Sequence, residues 1–174
     1  MQNNNSLCFI GMAGCGKSTI GEALSLQLGM GFIDTDLLIE KKFKSSLEQI
    51  KKENGYKFLR HAEEEVILSL DNDIQIISTG GSAVYSEKSM IHLSSFSKII
   101  YINTPLDEIK KRIGQGQQRG LAAPVGSSID DIYLEREPLY SKWANITLNG
   151  KKPCLLYTSP SPRDQRGSRM PSSA

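Results

Sequence analysis

Gly11-Met12-Ala13-Gly14-Cys15-Gly16-Lys17-Ser18 has the residue types and spacing of a phosphate cradle. The segment fits G-x-x-x-x-G-K-[ST]. It follows the apolar run Leu7-Cys8-Phe9-Ile10, and a helix-like stretch from Thr19 to Leu28 comes directly after it. Strand, glycine loop and helix in that order are the setting in which the pattern makes a phosphate site. Glycines let backbone N–H groups turn inward around an anion, and the helix N-terminus adds positive potential. Gly14, Cys15, Gly16, Lys17, Ser18 and Thr19 are therefore the expected nucleotide contacts. Lys17 would reach the outer phosphates, and the Ser18 hydroxyl would bind Mg²⁺. The bland alternative is a glycine turn that binds nothing.

A second constellation is acidic. Phe32-Ile33-Asp34-Thr35-Asp36 sets two carboxylates two residues apart, where a buried strand opens into a loop. Phosphoryl transfer needs a carboxylate for the Mg²⁺ shell and a group that orients and deprotonates the attacking hydroxyl. A helix N-cap pair fits the same spacing equally well.

These groups need elements to position them. Leu7–Ile10, Phe32–Ile33, Ile74–Ile77, Lys98–Ile102 and Ile146–Leu148 read as strands. Lys17–Leu28, Leu37–Lys42, Ser46–Glu53, Tyr56–Leu70, Glu87–Leu93, Leu106–Ile113 and Ile129–Trp143 read as helices, with a capping box expected from Ser46 and Gln49. Strands alternating with helices predict an α/β fold. The expectation is a P-loop NTPase-like three-layer sandwich, its central parallel sheet of about five strands flanked by helices. Ligands on such sheets bind at the carboxyl ends of the strands. Here those ends carry the phosphate loop, Asp34 with Asp36, and the Thr79-Gly80-Gly81 turn. Gly114–Ser128 is rich in glycine and glutamine without apolar periodicity, and reads as a functional lid or an idle loop.

Bulk properties narrow the function classes. The 174 residues suit one domain, read as 1–153. Residues 154–174 look like a translated sequencing-library adapter running into Pro/Ser/Arg-rich text, and are read as a non-native, disordered tail. That tail carries a net charge of +2, equal to the whole chain's, so the body is about neutral and gives no sign of a nucleic-acid partner. No apolar run would span a bilayer, and Met1–Ser6 lacks a signal peptide's apolar region. A cytoplasmic monomer with free thiols is the expectation. Cys15, at a helix start inside the loop, is expected to be sensitive to oxidation. His61 and His92 lack matched partners and read as solvated.

The full set of motifs resembles the shikimate kinases. That family joins its phosphate loop to F-x-D-x-D, an F-R-type helix, a G-G-G turn, an R-P-L-L lid and an R-x-P-x-Y helix. This chain has Phe32-Ile33-Asp34-Thr35-Asp36, then Leu59-Arg60 followed by Glu63, then Gly80-Gly81-Ser82, Arg119-Gly120-Leu121, and Arg136-Glu137-Pro138-Leu139-Tyr140. Order and approximate spacing match over nearly all of residues 7–149. The resemblance implies transfer of the ATP γ-phosphate to the 3-hydroxyl of shikimate, giving shikimate 3-phosphate and ADP in aromatic amino acid (chorismate) biosynthesis. It implies Asp34 as a water-mediated Mg²⁺ ligand and Asp36 as the group that binds the acceptor hydroxyl and serves as its base. It implies Arg60 and Arg136 as a clamp on the acceptor carboxylate, for which a planar donor fork is well suited. Gly80 and Gly81 would present N–H groups to the acceptor and the γ-phosphate, Arg119 would close over the phosphates, and Arg112 would lie near the adenine.

Bland alternatives stand beside these roles: surface ion pairs for Arg60 and Arg136, and a simple turn for the glycines. Three positions depart from the family pattern. Ser82 replaces a third glycine, Leu59 replaces Phe, and Arg119-Gly120-Leu121-Ala122-Ala123-Pro124 replaces R-P-L-L. The altered lid opens the acceptor to another small hydroxy acid, homoserine or gluconate. A nucleotide-binding module without an acceptor is the alternative from another class. Family members usually continue with a further helix on the sheet, so residues 1–153 are expected to lack that helix and to be weakly stable.

Overall fold

A computed structural model describes residues 5–73, 75–114 and 121–151. Arg119 and the tail 154–174 lie outside the described residues, as does the expected domain boundary at 153. In chain order the elements are β1 (Ser6–Ile10), α1 (Lys17–Leu28), β2 (Gly31–Asp34), α2 (Thr35–Phe43), α3 (Leu47–Asn54) and α4 (Tyr56–Leu68). They continue with β3 (Gln75–Ser78), a short 3-10 turn (Ala83–Tyr85), α5 (Glu87–Phe96), β4 (Ser97–Asn103), α6 (Leu106–Gly114), α7 (Ile129–Trp143) and β5 (Ile146–Asn149).

The five strands form one sheet in the order β2-β3-β1-β4-β5, and every neighbouring pair is parallel. The alternation of side chains along each strand divides the core in two. Cys8, Ile10, Ile77, Ile99 and Tyr101 face one side and pack with Ile67, Met90, Leu93, Ile132 and Tyr140 of α4, α5 and α7. Phe9, Ile76, Ile100 and Ile102 face the other and pack with Ile20 and Leu24 of α1. That is the three-layer α/β sandwich the alternation of elements predicts. A satellite cluster of Ile39, Leu47, Ile50, Leu59, Ala62 and Val66 binds α2, α3 and α4 together and takes in Ala122.

Register explains why the chemistry converges. Asp34 stands opposite Ser78, and Ser78 stands opposite Phe9, one residue before β1 ends. The phosphate loop, the acidic segment and the glycine turn therefore leave the sheet side by side along one edge.

Local differences from expectation have local causes. Helix α2 starts at Thr35 rather than Leu37, because the Asp34 side chain accepts from the N–H groups of Asp36 and Leu37 and caps it. Asp36 thus sits on the first helical turn, not in a loop. Ser46 caps α3 through Gln49 N, but the Gln49 side chain turns forward to Glu53, so the expected box is half formed. A complete box caps α7, where Ser128 and Asp131 bond reciprocally. His92 is half-buried, with Nε2 at 2.8 Å from the Leu70 carbonyl and its ring edge-on to Phe96, whereas His61 is exposed. No helix among the described residues is long and apolar enough to cross a membrane.

Candidate active site

The phosphate loop is wound around its own lysine. Gly14 (φ 78°) and Gly16 (φ 102°) hold left-handed backbone that turns the loop into a concave shell. Lys17 is buried, and its Nζ donates to the carbonyls of Gly11 and Met12 at 2.8 Å each. Gly14, Gly16, Lys17, Ser18 and Thr19 line one pocket with Asp36 and Thr79. Arg112 braces the loop from behind, donating to the carbonyls of Gly14, Cys15 and Gly150 at 3.2–3.3 Å. The residue expected beside an adenine thus has its guanidinium on backbone oxygens. The Cys15 thiol is 0% exposed, sealed under Gly11. A reactive thiol needs access, so the expected oxidation sensitivity has no route here.

Asp34 is a helix cap, as one reading of the acidic pair expects, and its other oxygen faces the phosphate loop. Its Oδ1 caps α2, and its Oδ2 accepts the Ser18 hydroxyl at 2.6 Å. Ser18 Oγ also lies 3.2 Å from Ser78 Oγ. No cluster of three or more His, Cys, Asp or Glu that could hold a metal exists among the described residues. One carboxylate beside one hydroxyl still fits Mg²⁺, which takes few protein oxygens and keeps several waters.

A second pocket adjoins the first. Its polar lining is Asp36, Glu63, Ser82 and Arg136, and Ile39, Leu47, Leu59 and Ala122 form its apolar wall. The two pockets share Ala13, Asp36 and Gly81, so the Asp36 carboxylate stands at their junction. Gly80 is needed for close approach: a Cβ there would overlap Glu63 Oε1 and come within 2.7 Å of Asp36 Oδ1. The Gly80 N–H donates to Thr35 Oγ1 at 3.1 Å, and the Gly81 carbonyl accepts from Tyr140 at 2.6 Å.

Glu63 is buried in this pocket. Burial, and then the nearby Asp36 charge, push its carboxyl up to about 7 against the pull of Ser82, Arg136 and Lys17. Ser82 donates to Oε2, while Oε1 has no hydrogen-bond partner among the described residues.

Arg60 and Arg136, the two arginines expected to clamp a carboxylate, converge on one backbone oxygen. Arg60 Nε and Arg136 Nη2 donate to the Ala122 carbonyl at 3.0 and 3.1 Å. Arg136 is 1% exposed, with Nη1 set against Gly81. Arg60 is half-buried and lines the neighbouring cleft with Glu63, Ser82 and Tyr85, rather than the second pocket itself. The salt bridges among the described residues join Lys42 to Glu65, Lys110 to Asp130 and Arg112 to Glu108, so neither Arg60 nor Arg136 is in a surface ion pair there.

Sequence reasoning names Glu63, Thr79 and Ala122 within motifs but gives them no role of their own at the site, and it passes over Tyr85. Glu63 carried a signal, being a charged residue on the apolar stripe Leu59, Ala62, Val66 and Ile67 of α4. Ala122 acts through its carbonyl, which no residue type announces.

A family model described as Shikimate kinase matches residues 13–154. A shikimate kinase from Paracidovorax citrulli is 34% identical over 153 residues, covering 84% of this chain and 83% of its own length. A crystal structure of shikimate kinase from Aquifex aeolicus superposes with a TM-score of 0.73 at 29% identity, covering 93% of this chain and 96% of that one. A shikimate kinase from Acinetobacter baumannii, solved in complex with shikimate, has the same fold, with a TM-score of 0.78 at 24% identity over 88% of this chain and 87% of that one.

Proposed function

The chain belongs to the shikimate kinase family, and on that premise we propose that it transfers the γ-phosphoryl group of ATP to the 3-hydroxyl of shikimate. The products are shikimate 3-phosphate and ADP, in aromatic amino acid biosynthesis. One observation carries the reading at this site: the phosphate pocket and the second, arginine-bearing pocket meet at the Asp36 carboxylate. A phosphoryl group and an acceptor hydroxyl placed in these two pockets would lie on either side of that group.

Residue roles follow from position and chemistry. Lys17 neutralises charge on the outer phosphates once it exchanges the loop carbonyls for them. Asp36 aligns the acceptor hydroxyl and takes its proton. Phosphoryl transfer depends chiefly on such positioning and on electrostatics. Gly14, Cys15, Gly16, Ser18 and Thr19 form the nucleotide cradle. Arg136 and Arg60 hold the acceptor carboxylate, and Gly80 and Gly81 keep the approach to it open. Ser18 and Asp34 would hold Mg²⁺, which supplies charge neutralisation at the phosphates when bound. Arg119 is assigned to the phosphates by its match to the family lid motif. The domain is taken as residues 1–153, working as a cytoplasmic monomer on a small-molecule acceptor, without nucleic acid or membrane.

ADP release from ATP and Mg²⁺ in the presence of shikimate, homoserine or gluconate tests the assignment. Turnover stimulated by shikimate is expected. Stimulation by another acceptor and not by shikimate would reassign the substrate, and no stimulation by any would remove the kinase reading.

A further inference from the structure

Tyr85 ends the 3-10 turn that follows the glycine turn, and it lies outside every motif that carries the family resemblance. Its ring centre is 3.8 Å from the Arg60 guanidinium carbon and 5.3 Å from that of Arg136. Its phenol oxygen accepts from Arg136 Nε at 3.3 Å. One half-buried side chain therefore touches both arginines. It does so in two different ways. Arg60 is close enough to meet the ring, whose electron-rich face attracts a cation. Arg136 meets the oxygen. Burial and a hydrogen bond with Glu135 raise the phenol's pKa, which keeps it a neutral acceptor beside two cations.

The arrangement solves a problem set by the clamp. Two guanidinium groups that converge on the Ala122 carbonyl repel one another. Arg60 also lies 5.0 Å from the Tyr56 ring and Arg136 also bonds Tyr140, but among these side chains Tyr85 is the one that meets both. Resting on the shikimate kinase reading, we propose that Tyr85 is a positioning residue for the acceptor carboxylate, holding Arg60 and Arg136 at the separation that lets both engage it.

A space-filling tyrosine would serve every acceptor alike, whereas a positioning one matters only when the acceptor carries the negative charge. The test is steady-state kinetics of the whole chain and its Tyr85→Leu and Tyr85→Phe variants. Each is assayed with shikimate and with its neutral carboxamide, a chemical form of a double-mutant cycle. Tyr85→Leu is expected to raise the KM for shikimate about five- to thirtyfold, the scale of a lost cation–ring contact and hydrogen bond. Its kcat is expected to stay within about threefold and its KM for ATP within about twofold. Tyr85→Phe keeps the ring and should raise the KM for shikimate about two- to fivefold. With the carboxamide, parent and variants should agree in kcat/KM within about twofold. Equal losses on both acceptors, or an unchanged KM for shikimate, overturn the proposal. If the leucine variant does not fold, the phenylalanine variant decides alone, and a parental KM for shikimate overturns it. If the parent itself ignores shikimate, the function reading falls, and this inference with it. If the parent turns shikimate over and the variants match it, only this inference falls.

Discussion

The Ser82 hydroxyl donates to Glu63 Oε2 deep in the second pocket, which leaves Glu63 Oε1 beside Gly80 and the Asp36 carboxylate. The serine stands where the family usually has a third glycine. In this chain that position supplies a donor to the carboxyl group whose pKa burial and Asp36 raise.

Stability should record that carboxyl. Its ordinary value is 4.5, and the fold raises it to about 7. The native state therefore holds the proton more tightly than the unfolded chain. Stability from this group is full below pH 4.5, falls as pH rises, and is gone above about 7. Glu63→Gln carries no such charge. Its melting temperature should match the parent's near pH 4 and exceed it by about 5 °C or more near pH 8. Thermal melts across that range measure the difference, and a gap independent of pH would contradict the assignment.

Asp36→Asn removes the proposed base while keeping the shape of the pocket junction. Turnover should fall by about 10²- to 10⁴-fold, with ATP affinity little changed. Single-turnover ADP formation with shikimate checks this, and undiminished transfer would rule out the base role.

Gly80→Ala places a methyl group where the Glu63 and Asp36 carboxylates already stand. The KM for shikimate should rise about tenfold or more, while nucleotide affinity stays within about twofold. Equilibrium binding of each ligand separates the two effects. A variant with parental shikimate affinity would show that the turn yields.

Arg112→Ala removes the brace joining the carbonyls of Gly14 and Cys15 to that of Gly150. The loop loses hydrogen bonds from a charged donor, so the KM for ATP should rise about tenfold with shikimate affinity preserved. A matched rise in both would point to general loosening of the fold instead.

Much of the fold was legible because its signals are local. The apolar runs of β1, β3 and β4 set the sheet, and the phosphate-loop pattern placed α1. Asp34 was legible as a useful carboxylate, but its two roles were not separable, since capping and contact with Ser18 use different oxygens of one side chain. The acceptor end was less readable. Arg60 and Arg136 could be named from motifs, yet their meeting point is the backbone of Ala122, 62 residues from Arg60. Tyr85 gave no pattern because its role depends on two helices that only the tertiary fold brings to the 3-10 turn.

The shared Ala122 carbonyl has one further consequence. Arginine side chains ordinarily lose much rotamer freedom when they grip a ligand, and that loss weakens binding. Here both are restrained during folding, by the shared carbonyl and by the Tyr85 side chain among their other contacts. The entropic cost of ordering the two side chains is therefore charged to the stability of the domain, and under the proposed function an arriving anion would meet a receptor already set.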